Sequence, residues 1–235
     1  MTYTLYGSRR SGSLIVELAL AQIGVEYEIQ DVDLEVEGQR QATYAAVNPQ
    51  RKVPALITPA GEVLTETVAI LLTLEERHAN AALLPPAGSV ERARALRVML
   101  FVATELYPIV EINDYPERFA PNPADAPAVR EVARALWRDR WLLVEDAIEG
   151  DPFLLPAGCC MTDIYIAVVS RWAQQDAWRT THTPKVERLT NAIAERSPFA
   201  AVWARHQPAA PNGSRRQCKC RSYSNQQAAG MDRPR

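Results

Sequence analysis

Cysteine is scarce in this chain and comes late. The four cysteines are Cys159, Cys160, Cys218 and Cys220, and no CxxC pair occurs. A dithiol redox motif is thereby excluded, and adjacent Cys159 and Cys160 read as small side chains at a helix start. Histidine is scarcer still. His78, His182 and His206 lack the spacing of metal ligands, so no metal is expected and all three read as surface or helix-end residues. No apolar run approaches the length that crosses a bilayer, which speaks against a membrane partner. The N-terminal Met1 to Tyr6 has neither the basic nor the apolar region of a signal peptide, so a cytoplasmic location is expected. A net charge of −2 over 235 residues argues against nucleic acid as the main partner.

Apolar residues, by contrast, make up 47% of the chain, enough for one large domain or two small ones. Thr2 to Tyr6 reads as a strand, Gly7 to Ser13 as a polar loop, and Leu14 onward as a helix that Gly24 ends. Val25, Tyr27 and Ile29 alternate as a strand, after which the phase slips to Val32 and Leu34, a bulge or the strand's end. Glu37 to Val47 reads as one short helix. Thr58-Pro59-Ala60-Gly61 is a type I turn that joins Val53–Ile57 to Val63–Leu64 as a hairpin. The next helix carries Ile70, Leu71, Leu74 and His78. The order β-α-β-α-β-β-α over residues 1–79 predicts a thioredoxin-like α/β domain.

Residues 80–88 are rich in proline and small side chains and read as a linker. Residues 89–206 are helical in pattern throughout, an all-α domain. Its first helix carries Leu96, Met99, Leu100, Ala103, Leu106 and Tyr107, and Pro108 should kink or stop it. Val129, Val132, Ala133, Leu136, Trp137, Leu143, Val144 and Ala147 mark a second helix. Ile164, Tyr165, Val168 and Trp172 mark a third, and Val186, Leu189 and Ile193 a fourth. Ahead of the third, Asp163 holds the acidic position of a capping box, with Cys160 where a hydroxyl would cap. In residues 207–235 six Lys and Arg face one Asp, so a tail of +5 follows a body of −7. Such a segment is expected to be disordered. Cys218-Lys219-Cys220 reads as part of its solvated end, with a metal or anion site as the alternative.

Two stretches carry chemistry. In Asn48-Pro49-Gln50-Arg51-Lys52-Val53-Pro54-Ala55-Leu56, Pro54 should open a strand or sit at a bend. A cis Val53–Pro54 bond would present the Val53 backbone to a peptide-like ligand as an added strand does. A dozen residues on, Thr65-Glu66-Thr67 sets a carboxylate and a hydroxyl at a helix N-terminus, which favours a bound carboxylate. In this order the two stretches, NPQRKVPAL and LTETVAIL, resemble the glutathione site of the cytosolic glutathione S-transferases. The α/β-then-helical plan is similar as well, over residues 1 to about 206.

That resemblance implies a glutathione transferase of the bacterial, serine-type, theta- and zeta-like kind, with glutathione as co-substrate and a homodimer as the assembly. Ser11 matches the serine of theta-like members and would donate to the thiolate. The zeta-like pattern fits less well, because Arg10 takes the place of its leading serine. A beta-like cysteine would fall on Gly12, so the covalent-thiol version is excluded. Tyr6 as a tyrosine-type donor and Ser13 as a simple helix cap remain alternatives. Val53 would pair its backbone with the cysteinyl part, Glu66 would meet the γ-glutamyl ammonium, and Thr67 would meet the neighbouring carboxylate. Lys52 would stand near the glycyl end, and Arg51 replaces the family's common glycine. The electrophile would lie against Phe101, Tyr107, Tyr115 and Trp172. Glutathione-dependent disulfide reduction without an enzymic cysteine, and a non-catalytic binding role, are the competing functions.

Overall fold

The structure is a computed structural model that describes residues 2–172 and 176–207. The basic tail therefore lies outside the described residues from 208 onward. Strands β1 (Tyr3–Gly7), β2 (Tyr27–Asp31), β3 (Ala55–Ile57) and β4 (Val63–Thr65) form one sheet in the order β2-β1-β3-β4. β1 runs parallel to β2, with Leu5 opposite Ile29, and antiparallel to β3, with Leu5 opposite Leu56. The hairpin β3–β4 closes as its turn residues require, Gly61 N–H donating to Thr58 O at 2.8 Å. Val32 marks the end of β2 rather than a bulge; it is buried, and its N–H donates to Gly7 O at 2.7 Å.

Helix α1 (Ser13–Ile23) follows β1 and stops at Gly24, whose φ of 78° is the left-handed conformation that glycine adopts freely. It is buried almost all round because the sheet and α3 (Thr67–Arg77) cover one side while the helical half covers the other. A helix in that position must be apolar on every face. The stretch Glu37 to Val47 is not one helix. Glu37 takes a positive φ of 56°, Gly38–Arg40 makes a single tight turn, and α2 (Ala42–Val47) begins only after extended Gln41.

The connection over 80–88 is more than a spacer. Leu83 and Leu84 are buried in the core, and Leu83 O accepts the N–H of Met161 at 2.8 Å. Beyond it come α4 (Val90–Phe101), a π-helical turn (Val102–Leu106) and α5 (Tyr107–Asp114), one nearly continuous rod. Then follow α6 (Ala126–Ala147), α7 (Met161–Val169), α8 (Asp176–His182), α9 (Pro184–Glu195) and α10 (Phe199–Arg205). Every residue of α7 is buried. Its start is held by the reciprocal capping box: Asp163 accepts the N–H of Cys160 at 2.8 Å while the Cys160 thiol takes that of Asp163. Asp163 also accepts Leu154 N–H at 2.7 Å. One hydrophobic cluster extends from Tyr3 to Trp203 across both halves, so the chain's two parts share a core. Among the described residues no helix is long and apolar enough to cross a membrane.

Candidate active site

The edge where β1 ends and β3 and α3 begin faces the rod α4–α5 across a cleft of about 1360 Å³. Its α/β wall is built by the stretch from Leu34 to Arg40 and by three loops that hold the expected site residues. In the first, Ser8 to Ser13, hydroxyls do the folding. Ser11 Oγ donates to Ser8 O at 2.8 Å and stands 2.9 Å from Ser13 Oγ, while Ser13 Oγ accepts Ser8 N–H at 3.2 Å. Ser13 is the first residue of α1 and not its cap; Gly12 is the cap, and Ser11 Oγ accepts Ser13 N–H at 3.3 Å. Ser11 lines the cleft, half-buried, at the positive end of α1.

The second loop is Asn48 to Pro54. Buried Asn48 organises it: its Nδ2 donates to Lys52 O at 2.7 Å, and Tyr44 Oη donates to the same carbonyl at 2.7 Å. Arg51 has a φ of 56°, the left-handed conformation that the family's glycine would take without strain. The Val53–Pro54 bond is cis. Val53 lines the cleft just ahead of the ladder, whose first pair is Ala55 with Thr65. In the third loop Glu66 precedes α3 with φ 63° and ψ 110°, a strained backbone for a non-glycine residue, and Thr67 is buried behind it. Both line the same cleft.

The helical wall supplies Tyr107, Tyr115, Trp172 and Tyr165. Phe101, expected there, is not in it; it packs half-buried against the core from the last turn of α4. Tyr107 crosses to the opposite wall. A Cβ on Gly12 would come within 2.4 Å of Tyr107 Oη, so only glycine leaves room for that hydroxyl. The Tyr107 ring stands edge-on to Trp172, centroids 4.9 Å apart at 81°. Burial, and then the charge of Glu66, push its phenol up to about 12. Tyr6 does not line the cleft; its ring rests tilted against Tyr44, centroids 5.7 Å apart.

Among the described residues seven cationic side chains and four carboxylates line the cleft, which is positive in a chain of net charge −2 and suits an anion. Lys52 is engaged across it: Nζ stands 3.2 Å from Glu111 Oε2 on α5, whose other oxygen meets Arg118 at 3.4 Å. Glu111 had no mark in the sequence, because its partner Lys52 lies 59 residues away, and Asn48 stood in the motif without its role in closing the loop being visible.

The serine loop, the cis-proline turn and the acidic start of α3 thus stand together on an α/β unit. The sequence model described as Glutathione S-transferase, N-terminal domain, matches residues 1–76, which hold all three. Residues 1–76 are a glutathione S-transferase N-terminal domain. Relatives cover most of the chain. It is 26% identical over 205 residues to the GST-like protein YncG of Escherichia coli, covering 86% of this chain and 98% of that one. It is 29% identical over 223 residues to the maleylacetoacetate isomerase of Pseudomonas aeruginosa, covering 89% and 98%. Its fold matches the solved glutathione transferase homologue from Sulfitobacter with bound glutathione, at a TM-score of 0.80, 24% identity, and 87% and 98% coverage.

Proposed function

We propose that this protein binds glutathione in the cleft as its thiolate and joins the sulfur to an electrophilic small molecule. The observation that carries the reading is the convergence of Ser11, Val53, Glu66 and Thr67 on one positive cleft, with the Tyr107 hydroxyl across from them. In it, the Val53 backbone pairs with the cysteinyl peptide. Glu66 takes the γ-glutamyl ammonium, and Thr67 with the start of α3 takes the adjoining carboxylate. Lys52 meets the glycyl end, and the protein works as a homodimer.

A free thiol of pKa about 8.5 is mostly protonated at neutral pH. Lowering it by about two units takes roughly 2.7 kcal/mol of preference for the thiolate. Turning the Ser11 hydroxyl from Ser8 O to the sulfur exchanges a neutral bond of about 1 kcal/mol for a charge-assisted one of about 1.5–3. The dipole of α1 and the nearby cations supply more. The sulfur pair then forms a C–S bond. Either a leaving group departs with its own pair, or a conjugated carbonyl oxygen takes up the charge. Tyr107, protonated at neutral pH, is the donor for that oxygen.

A second reading shares the first step. The thiolate adds to a cis double bond conjugated with a carbonyl, the new single bond rotates, and elimination returns glutathione and the trans isomer. The isomerase relative, matched over 98% of its length, supports it. Following substrate and glutathione together by NMR separates the two: conjugation consumes glutathione and isomerisation does not.

Calorimetry with glutathione and titration of bound thiolate absorbance test the site. Ser11→Ala should raise the bound thiol's pKa by about one to two units, following the 1.5–3 kcal/mol of its bond, with a smaller change in affinity. Tyr6→Phe should leave the titration alone. A shift in Tyr6→Phe and none in Ser11→Ala would make the site tyrosine-type, and no binding at all would leave a non-catalytic protein.

A further inference from the structure

Glu17 has no part in the cleft, yet it is a carboxylate 1% exposed in the middle of apolar α1. A charge so placed needs partners. They come from β2 and from the far end of the described chain. Tyr27 Oη donates to Oε1 at 3.2 Å, the Arg205 guanidinium pairs with the same oxygen, and His206 Nε2 stands 2.8 Å from Oε2. Burial pushes the Glu17 carboxyl up, but His206 and Arg205 together hold it below the usual range.

The other nitrogen of His206 faces the serine loop. Its Nδ1 lies 3.1 Å from the backbone N–H of Arg10. An amide N–H only donates, so Nδ1 is the lone-pair nitrogen and Nε2 carries the proton toward Glu17. Arg10 immediately precedes Ser11 and holds a φ of 63°, a left-handed conformation that costs a side-chain-bearing residue energy. The serine hydroxyls tie the loop to itself. The Arg10 N–H ties it to the helical half.

We propose that His206 is a positioning residue for the Ser11 loop: Glu17 orients its ring, Nδ1 holds the Arg10 N–H, and the end of α10 thereby sets where the Ser11 hydroxyl points. The catalytic part of this rests on the glutathione site proposed above. Its logic is that of an imidazole whose second nitrogen is fixed by a carboxylate.

Two substitutions separate the two nitrogens. His206→Asn keeps an acceptor near the place of Nδ1 and gives up Glu17. His206→Gln reaches Glu17 with its amide N–H but has no acceptor for Arg10. Both are made in the full chain and followed by melting temperature, kcat and KM with a chlorodinitrobenzene, bound-thiol titration, and hydrogen exchange at Arg10. His206→Gln should melt near the parent and keep its glutathione KM within about two-fold. Its thiol titration should rise by about one unit, about a ten-fold loss of thiolate at neutral pH. Its Arg10 amide should exchange faster. His206→Asn should melt lower but keep the titration and most of kcat. Activity that follows melting temperature, with Asn worse than Gln, overturns the proposal; so does unchanged Arg10 exchange in the Gln variant. If the parent fails to bind glutathione, the proposed function falls. Arg10 exchange in the two variants then decides the positioning contact alone.

Discussion

Two hydroxyls share the Ser8 carbonyl, Ser11 at 2.8 Å and Ser13 at 3.1 Å, and they are not equivalent. Ser13 is buried and also accepts Ser8 N–H, so it can keep the loop closed while half-buried Ser11 turns to a ligand. Ser13→Ala should therefore cost about 1 kcal/mol of stability in urea and raise the bound thiol's pKa by less than Ser11→Ala does. A larger rise than in Ser11→Ala would make Ser13 the thiolate donor. Lys52 offers a second residue-scale prediction. Its partner Glu111 occupies the cation that the glycyl carboxylate would use. Both side chains are well exposed, so the pair is worth at most about 1 kcal/mol. Glu111→Gln should tighten glutathione binding by up to about five-fold at low salt, and the gain should vanish as salt screens the pair. Weaker binding in isothermal titration would mean that Glu111 assists the ligand. Residues such as Ser11, Val53, Glu66 and Thr67 were legible because a local pattern of loop, proline and helix start marks each one. Glu111 and His206 were not, because their contacts join positions 59 and 189 residues apart. His206 in particular looked like an ordinary helix-end residue, and only the burial of Glu17 reveals its work.

Elements with an unbroken apolar period were readable, and those that answer to a distant partner were not. β1, α1, the β3–β4 hairpin, α3 and α9 lie where the periodicity put them, and α7 does so up to Val169, short of the expected Trp172. Pro108 marks the interruption it was expected to cause: α4 ends at Phe101, and α5 starts at Tyr107 with the proline in its first turn. The π-helical turn Val102–Leu106 just ahead of it accommodates the missing N–H, and α5 continues from Tyr107. That turn also aims Tyr107 at Gly12. Pro108→Ala restores one backbone donor, so stability in urea should hold or rise by about 1 kcal/mol while turnover falls as Tyr107 shifts. Unchanged turnover would separate the turn from the aim. The start of α7 carries a pH signature. Burial raises Asp163 to about 6, against the pull of the Leu154 and Cys160 N–H groups. A carboxyl whose folded pKa lies above its ordinary 3.8 contributes its full stability below that value and loses it as pH rises through about 6. Asp163→Asn, which does not titrate, should thus show its largest deficit near pH 4 and a smaller one near pH 7. Asp163→Ala strands two buried N–H groups and should cost about 2–5 kcal/mol at either pH. A deficit in the Asn variant that grows with pH would contradict the raised pKa.

At the scale of the molecule, α6 presents two apolar faces, and the protein's own core covers one. Ala133, Trp137, Trp141 and Val144 are buried, whereas Val132, Leu136 and Leu143 stand 61%, 41% and 58% exposed. In the sequence all of these but Trp141 marked the helix, without separating two faces. Steps of four and seven residues place the exposed three along a single stripe of the helix. Scattered exposed leucines need no explanation, but an aligned stripe along a 22-residue helix is the kind of surface a partner covers. A second copy is the occupant that the proposed homodimer requires. In a two-fold pair each stripe residue counts twice, so a single substitution is amplified. Burying a leucine is worth about 1.5–3 kcal/mol, and a carboxylate in its place would have to be desolvated as well. Light scattering at micromolar concentration should therefore give twice the chain mass of 26.2 kDa. Leu136→Glu should shift it to the single-chain value with the melting transition of the monomer still cooperative. A parent that scatters as a monomer ends the homodimer expectation. A Leu136→Glu protein that remains dimeric moves the interface off this stripe and onto another face.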